Sequence, residues 1–148
     1  MRNNYKGNRN GQFLITNDYG NDPFAVNIEK VTEQNKNFRS TLWTGTYMQL
    51  TIMSIEPSSC IGLEIHNDTD QFLKIENGIG QVFMGKIKEN LTFRQTVKEG
   101  FAVFIPSGTW HNIVNIGKVP LKLYSIYAPP HHTRGTVHRI KSDSDSQN

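Results

Sequence analysis

The chain of 148 residues has a single cysteine, Cys60, so it can form no intramolecular disulfide, and packing and hydrogen bonding must hold the fold. No apolar run approaches the ~20 residues of a membrane-spanning helix. The opening residues, Met1-Arg-Asn-Asn-Tyr-Lys-Gly-Asn-Arg, lack the apolar core of a signal peptide. These absences predict a cytoplasmic protein with no membrane partner, in which the patterns Asn67-Asp-Thr69 and Asn90-Leu-Thr92 are not glycosylated. Charge of one sign is scarce as well. There are 16 Lys and Arg against 13 Asp and Glu, a formal +3, and the cations are scattered. A nucleic-acid groove needs clustered cations, so none is expected. Long segments of helical period and internal repeats are also missing, and no base stands beside Cys60 in sequence.

What is present is a series of short β-rich runs between turn residues. They fall at residues 41–44, 47–55, 61–65, 72–76, 80–85, 91–97, 101–105, 113–116 and 121–127, punctuated by Pro57, Gly78, Gly100, Pro106, Gly117, Pro120 and Pro129. Residues 23–30 read as a further short strand, and 31–37 as a turn or one helical turn. Regularly spaced strands without intervening helices predict an all-β fold, an antiparallel sandwich or barrel. A hydrophobic content of 36% and a charged content of 20% suit one globular domain, expected over residues 23–140. An Asn- and Gly-rich arm at 1–22 precedes it, in which Phe13-Leu-Ile15 is available as an edge strand. Local docking of Phe13-Leu-Ile15 is the other reading. A polar tail at 141–148 follows. In the run 47–55, side-chain alternation puts Tyr47, Gln49, Thr51, Met53 and Ile55 on one face.

Two polar groupings break this apolar pattern. Glu64 and His66 are two apart, so on a strand both point to one face. Gln71 stands at the start of the next strand, within reach of the same side if the two strands pair. His111 follows the reversal Pro106-Ser-Gly108. Together they offer one carboxylate, one amide oxygen and two imidazoles, a donor set for a divalent first-row transition metal: Zn, Mn, Fe, Ni or Co. Spacing alone equally allows Glu64 to be a solvated strand residue and both histidines to be ordinary hydrogen-bonded ones.

The same residues carry a family resemblance. Gly100, Pro106, Gly108, His111 and Asn115 match every fixed position of the second motif of the cupin superfamily: Gly, five residues, Pro, one, Gly, two, His, three, Asn. The first cupin motif is His-x-His, three or four residues, Glu, six residues, Gly. Here Glu64 stands at the first His, His66 at the second, Gln71 at the Glu and Gly78 at the Gly, while Ser58 replaces the opening Gly. The chain thus resembles a small single-domain cupin of the cupin-2, mannose-6-phosphate isomerase-like type. That resemblance implies a double-stranded β-helix, or jelly-roll, barrel that commonly dimerises. It also implies a metal on Glu64, His66, Gln71 and His111, with the acidic ligand moved to residue 64. By ligand type the set is similar to the Gln, His, Glu, His zinc site of type I phosphomannose isomerases, whose extra domains this chain lacks.

Other residues complete the expected site. If Leu121, Leu123 and Ser125 face inward, so does Tyr127, and its hydroxyl or His131 is a candidate acid or base. Gln49 and Met53 are candidates to line a pocket for a small molecule, such as a sugar, and Met53 reads equally as core. Trp43 and Trp110 read as packing anchors, and Asp68 and Asp70 as partners of His66 or as turn residues. Arg39, Lys122 and Arg134 are available to anchor a phosphate, though sequence places none of them. The functions in view are a metal-dependent sugar (phosphate) isomerase, a metal-dependent dioxygenase, and a non-catalytic binding or structural cupin, each expected as a homodimer.

Overall fold

Asn27 begins the one helix of the body of the fold. Its side chain accepts from Lys30 N–H at 3.1 Å, and Glu29 lies in the first turn, as favours a helix start. The computed structural model describes residues 6–7, 13–14 and 17–146, and the rest of the arm expected over 1–22, with the last two residues of the tail, lies outside the described residues. The chain runs β1 (Lys6–Gly7), β2 (Phe13–Leu14), α1 (Ile28–Gln34), β3 (Arg39–Thr44), β4 (Gln49–Ile55), β5 (Asp70–Asn77) and β6 (Ile79–Gly85). It continues through β7 (Phe93–Lys98), β8 (Ala102–Ile105), β9 (Trp110–Asn115), β10 (Leu121–Ala128), β11 (Val137–His138) and α2 (Lys141–Asp145).

Antiparallel pairing builds a six-stranded sheet, β11-β3-β4-β10-β5-β8, and a three-stranded sheet, β7-β6-β9. Their inner faces share the main core. Met53, Ile55, Leu73, Ile75, Leu121 and Leu123 of the large sheet bury themselves with Val82, Met84, Val97 and Ile113 of the small one. The alternation of buried and half-buried residues along β5, β6, β9 and β10 is the period-two pattern of strands with one face inward. This is a jelly-roll β fold, as expected. A second core lies on the outer face of the large sheet, where Val31 of α1 packs with Leu42 and Ile52.

Several details add to or differ from the sequence expectations. Residues 23–30 are not a strand, because Ile28 already belongs to α1. Apolar residues two apart at Val26 and Ile28 mimic a strand, but the Asn27 cap and the Ile28/Val31 spacing favour a helix. Residues 61–65 form no strand either. Gly62, with φ of 104°, interrupts the segment, which meets β9 through isolated bridges at Cys60–Val114 and Glu64–His111 and through Gly62 N–H, which donates to Asn112 Oδ1 at 3.0 Å. Phe13–Leu14 pairs locally with Lys6–Gly7, the local one of its two readings, and not with a barrel sheet. The end of the arm is packed: Asp18 accepts from Gly20 and Thr44 N–H, each at 2.9 Å, and Tyr19 N–H donates to Leu42 O at 2.9 Å. Within the polar tail, Lys141–Asp145 makes a helical turn whose Ser144 is buried.

The second motif closes on a structural asparagine. Asn115 donates to Ile55 O at 2.8 Å and Val119 O at 2.9 Å, and accepts from Gly117 N–H at 2.9 Å. It therefore ties β4, β9 and the turn before β10 together from a buried position.

Candidate metal centre

His111 comes from β9, and Glu64 is set against it by paired backbone bonds: Glu64 N–H to His111 O at 3.0 Å and His111 N–H to Glu64 O at 2.9 Å. The reversal after Pro106 brings in the next residue, since Gly108 N–H donates to His66 O at 2.8 Å. Gly108 has φ of 73°, a left-handed conformation that favours glycine. Asp70 supports the same turn by accepting from Ser107 N–H at 2.9 Å. Of the two readings for Asp70, the turn role is the one the structure supports.

The side chains converge. Glu64 Oε2 lies 3.3 Å from His66 Nε2 and 3.9 Å from His111 Nε2, and one donor atom from each residue falls within 4.8 Å of the others. His111 Nδ1 sits 2.9 Å from Thr109 O. The proton therefore belongs on Nδ1, and the Nε2 lone pair faces Glu64. His66 Nε2 and His111 Nε2 are buried without a hydrogen-bond partner. Gln71 adds a third such atom. Its Nε2 donates to Ser125 Oγ at 2.7 Å, which leaves Oε1 buried and unpartnered on the inner face of β5. Orphaned buried polar atoms each cost about 1–3 kcal/mol and are rare in native proteins. Three of them, with a carboxylate beside two, are the donor chemistry of a divalent transition metal.

Electrostatics agree with that role. Burial pushes the Glu64 carboxyl up, but contact with His66, the Arg39 guanidinium and the second imidazole outweigh it and hold it below its usual 4.5. Burial lowers the His111 imidazole. Both groups are thus in their metal-binding forms at neutral pH.

A cavity of about 410 Å³ opens beside Glu64 and His66, lined also by Arg39, Leu63, Ile65, Trp110, His131, His132, Thr133, Thr136, His138 and Ser144. His131 reaches it after β10, with its ring centroid 4.1 Å from that of His66. Tyr127 packs behind, 5.8 Å from His66 and 5.6 Å from His131. Tyr127 is almost fully buried, and that burial raises its phenol, so it keeps its proton. Trp110, expected as a packing anchor, lies on the cavity wall. Trp43 does anchor, donating to Asp22 O at 2.8 Å.

Neither Gln49 nor Met53 lines this cavity, which corrects the pocket expectation for both, and the core reading is the one the structure supports for Met53. Met53 is 1% exposed in the core between the sheets. Gln49 is wholly buried and fully committed: Nε2 donates to His132 O at 2.8 Å and Thr44 Oγ1 at 3.0 Å, and Oε1 accepts from His132 N–H at 2.8 Å and His131 N–H at 3.1 Å. It clamps the backbone that carries His131. Replacing Gln49 with alanine is expected to destabilise the protein by about 3 kcal/mol, since it strands buried polar groups. Denaturant unfolding measures this, and a change under 0.5 kcal/mol would contradict the clamp.

Among the anchors considered, Lys122 donates to Asn35 O and Arg134 Nη2 lies 3.5 Å from Asp18 O, so neither reaches the cavity. Arg39 does, and it is 1% exposed. Its burial was not legible, because β3 shows no apolar alternation around it and its partners lie about a hundred residues away.

His132 gives the site a pH signature. Burial, then the charges of Arg39, His131, His66 and His138, push its imidazole from 6.5 down to about 2. A histidine lowered on folding contributes stability that is present above its unfolded pKa and lost as pH falls toward its folded pKa. The metal-free protein is therefore expected to keep a constant melting temperature above pH 7 and to lose stability steadily below pH ~6.5. In a His132→Gln variant, scanned by calorimetry from pH 8 to 5, the slope should be shallower; an unchanged slope would assign the acid sensitivity elsewhere.

The comparisons with known proteins fit this geometry. Residues 51–127 match the family described as Cupin domain. The protein YrkC of Bacillus subtilis is 54% identical over 131 residues, covering 88% of this chain and 70% of that protein. The protein L612 of Acanthamoeba polyphaga mimivirus is 37% identical over 125 residues, covering 84% of this chain and 75% of that protein. The crystal structure of BH2720 from Bacillus halodurans aligns with a TM-score of 0.87 at 52% identity, over 88% of this chain and 98% of that one.

Proposed function

The chain belongs to the cupin family, and from that premise we propose that it is a metal-dependent cupin acting on a small oxygen-rich molecule of the sugar class. Glu64, His66 and His111 hold a divalent transition metal, with Gln71 Oε1 as a fourth donor. The observation that carries this reading is the convergence of Glu64 with the buried, unpartnered Nε2 atoms of His66 and His111, with a further unpartnered atom, Gln71 Oε1, on the inner face of β5. Such an ion, when bound, polarises a carbonyl or hydroxyl oxygen.

The neighbouring side chains favour proton-transfer chemistry, and we read the protein as isomerase-like. His131 stands beside His66 on the cavity wall, and partial burial lowers its imidazole, so it is neutral at pH 7 and able to accept a proton. In an aldose–ketose interconversion it takes the proton from the carbon beside the carbonyl and returns it to the former carbonyl carbon. The hydroxyl proton moves to the carbonyl oxygen, so no oxidant is consumed. Tyr127, neutral and packed against His131 and His132, keeps both rings in place.

The experiment is metal analysis of protein purified without added metal, followed by melting curves with Mn, Fe, Ni, Co and Zn. About one bound ion per chain, or a clear rise in melting temperature with one of these metals, is expected. A protein that carries none and is stabilised by none is not a metal-dependent cupin. Solvent deuterium entering an aldose or ketose beside its carbonyl, followed by NMR on the metal-loaded protein, tests the isomerase reading.

A further inference from the structure

The deepest cation in the cavity has half of its hydrogen-bonding edge unused. Arg39 is 1% exposed, and its Nη1 is occupied, donating to Ser144 Oγ at 2.7 Å and lying 3.4 Å from His138 Nδ1. Nε and Nη2 are buried and make no hydrogen bond. Those two atoms lie on one edge of the planar guanidinium, the fork that takes the two oxygens of a carboxylate in parallel. Nη2 is 3.8 Å from Glu64 Oε1, beyond hydrogen-bond length, so Glu64 offsets the charge without filling the fork.

Charge counting gives the same answer. Arg39 is the one Lys or Arg, and Glu64 the one acid, among the residues lining the cavity. They cancel, and a divalent ion on Glu64 then leaves the pocket about two charges positive. An excess of that kind in a half-enclosed cavity calls for an anionic ligand. A single planar fork takes both oxygens of a carboxylate, whereas a phosphate dianion brings a third oxygen and a second charge that the fork alone leaves unmet.

Resting on the metal reading above, we propose that the cavity binds a small hydroxy- or oxo-carboxylic acid, its carboxylate on Arg39 Nε and Nη2 and its neighbouring oxygen directed to the metal held by Glu64, His66 and His111. In substrate terms this means a sugar acid or a shorter 2-hydroxy acid, rather than a sugar phosphate. Trp110, Leu63 and Ile65 supply the apolar part of the wall.

Calorimetric titration tests it with glycolate, its neutral counterpart glycolamide, and inorganic phosphate, each on wild-type and Arg39→Lys protein at matched metal loading. Wild type is expected to bind glycolate roughly 10–100-fold more tightly than glycolamide, the range for a charge-assisted hydrogen-bonded pair. Arg39→Lys, which keeps the charge but loses the fork, should forfeit at least about tenfold of that preference. Equal affinity for glycolate and glycolamide, tighter binding of phosphate than of glycolate, or an undiminished preference in Arg39→Lys each overturns the proposal. The glycolate–glycolamide comparison uses wild type alone, so it stands even if Arg39→Lys fails to fold. If wild type takes up no metal, the metal reading fails separately, and the preference measured on metal-free protein judges the Arg39 fork by itself.

Discussion

Replacing His111 with alanine should strip the protein of metal. His111 supplies a buried imidazole whose tautomer is fixed by Thr109 O, so its Nε2 lone pair is already aimed. Partners that merely orient a ligand are worth 10–100-fold in metal affinity. Loss of the ligand itself should cost at least about a hundredfold. The measurement is metal content after dialysis, with the metal-induced rise in melting temperature as a second reading. Because alanine also leaves a hole, Glu64→Gln serves as the control of similar shape: it removes the negative donor and keeps the volume. The metal-free melting temperature of each variant separates lost binding from lost folding. Full metal occupancy in both variants would show that the trio is an ordinary buried polar cluster.

Replacing His131 with glutamine should slow solvent deuterium entry beside a substrate carbonyl by about 10²–10⁴-fold, the usual worth of a positioned general base. Glutamine keeps polarity and much of the size but cannot accept and return a proton. Metal content should stay at one ion, since His131 is outside the Glu64, His66 and His111 group. Exchange that proceeds at the wild-type rate would move the base elsewhere, and Tyr127 is a poor substitute because burial keeps its phenol protonated. The two variants together separate holding the metal from moving the proton.

The sequence showed the strands because apolar alternation is local. β4, β5, β6 and β10 could each be read within a residue or two, since one face of each enters the core. It also showed His66 and His111 as a pair, because turn residues at fixed spacing frame them. The segment 61–65 has the local pattern of a strand and forms none, yet Glu64 still meets His111. A two-residue bridge suffices to place a side chain, and local pattern cannot distinguish it from a strand. Arg39, Gln49 and the histidines after β10 were harder. Arg39 sits in a buried position only because His138 and Ser144 cover it, and Gln49 turns inward to bind backbone at His131 and His132. Those environments are made by pairings between distant parts of the chain, which no window of sequence contains.

The hold of Ser144 on Arg39 joins residues 105 positions apart, and β11 meets β3 just as late in the chain. Glu64, His66 and His111 are placed by β9 and the reversal after Pro106, so their meeting does not depend on the C-terminal turn. The wall that seats the guanidinium does, because it is finished only when that turn folds back onto the barrel. A chain shortened before residue 141 should accordingly keep the affinity for metal and lose the discrimination between an acid and its amide.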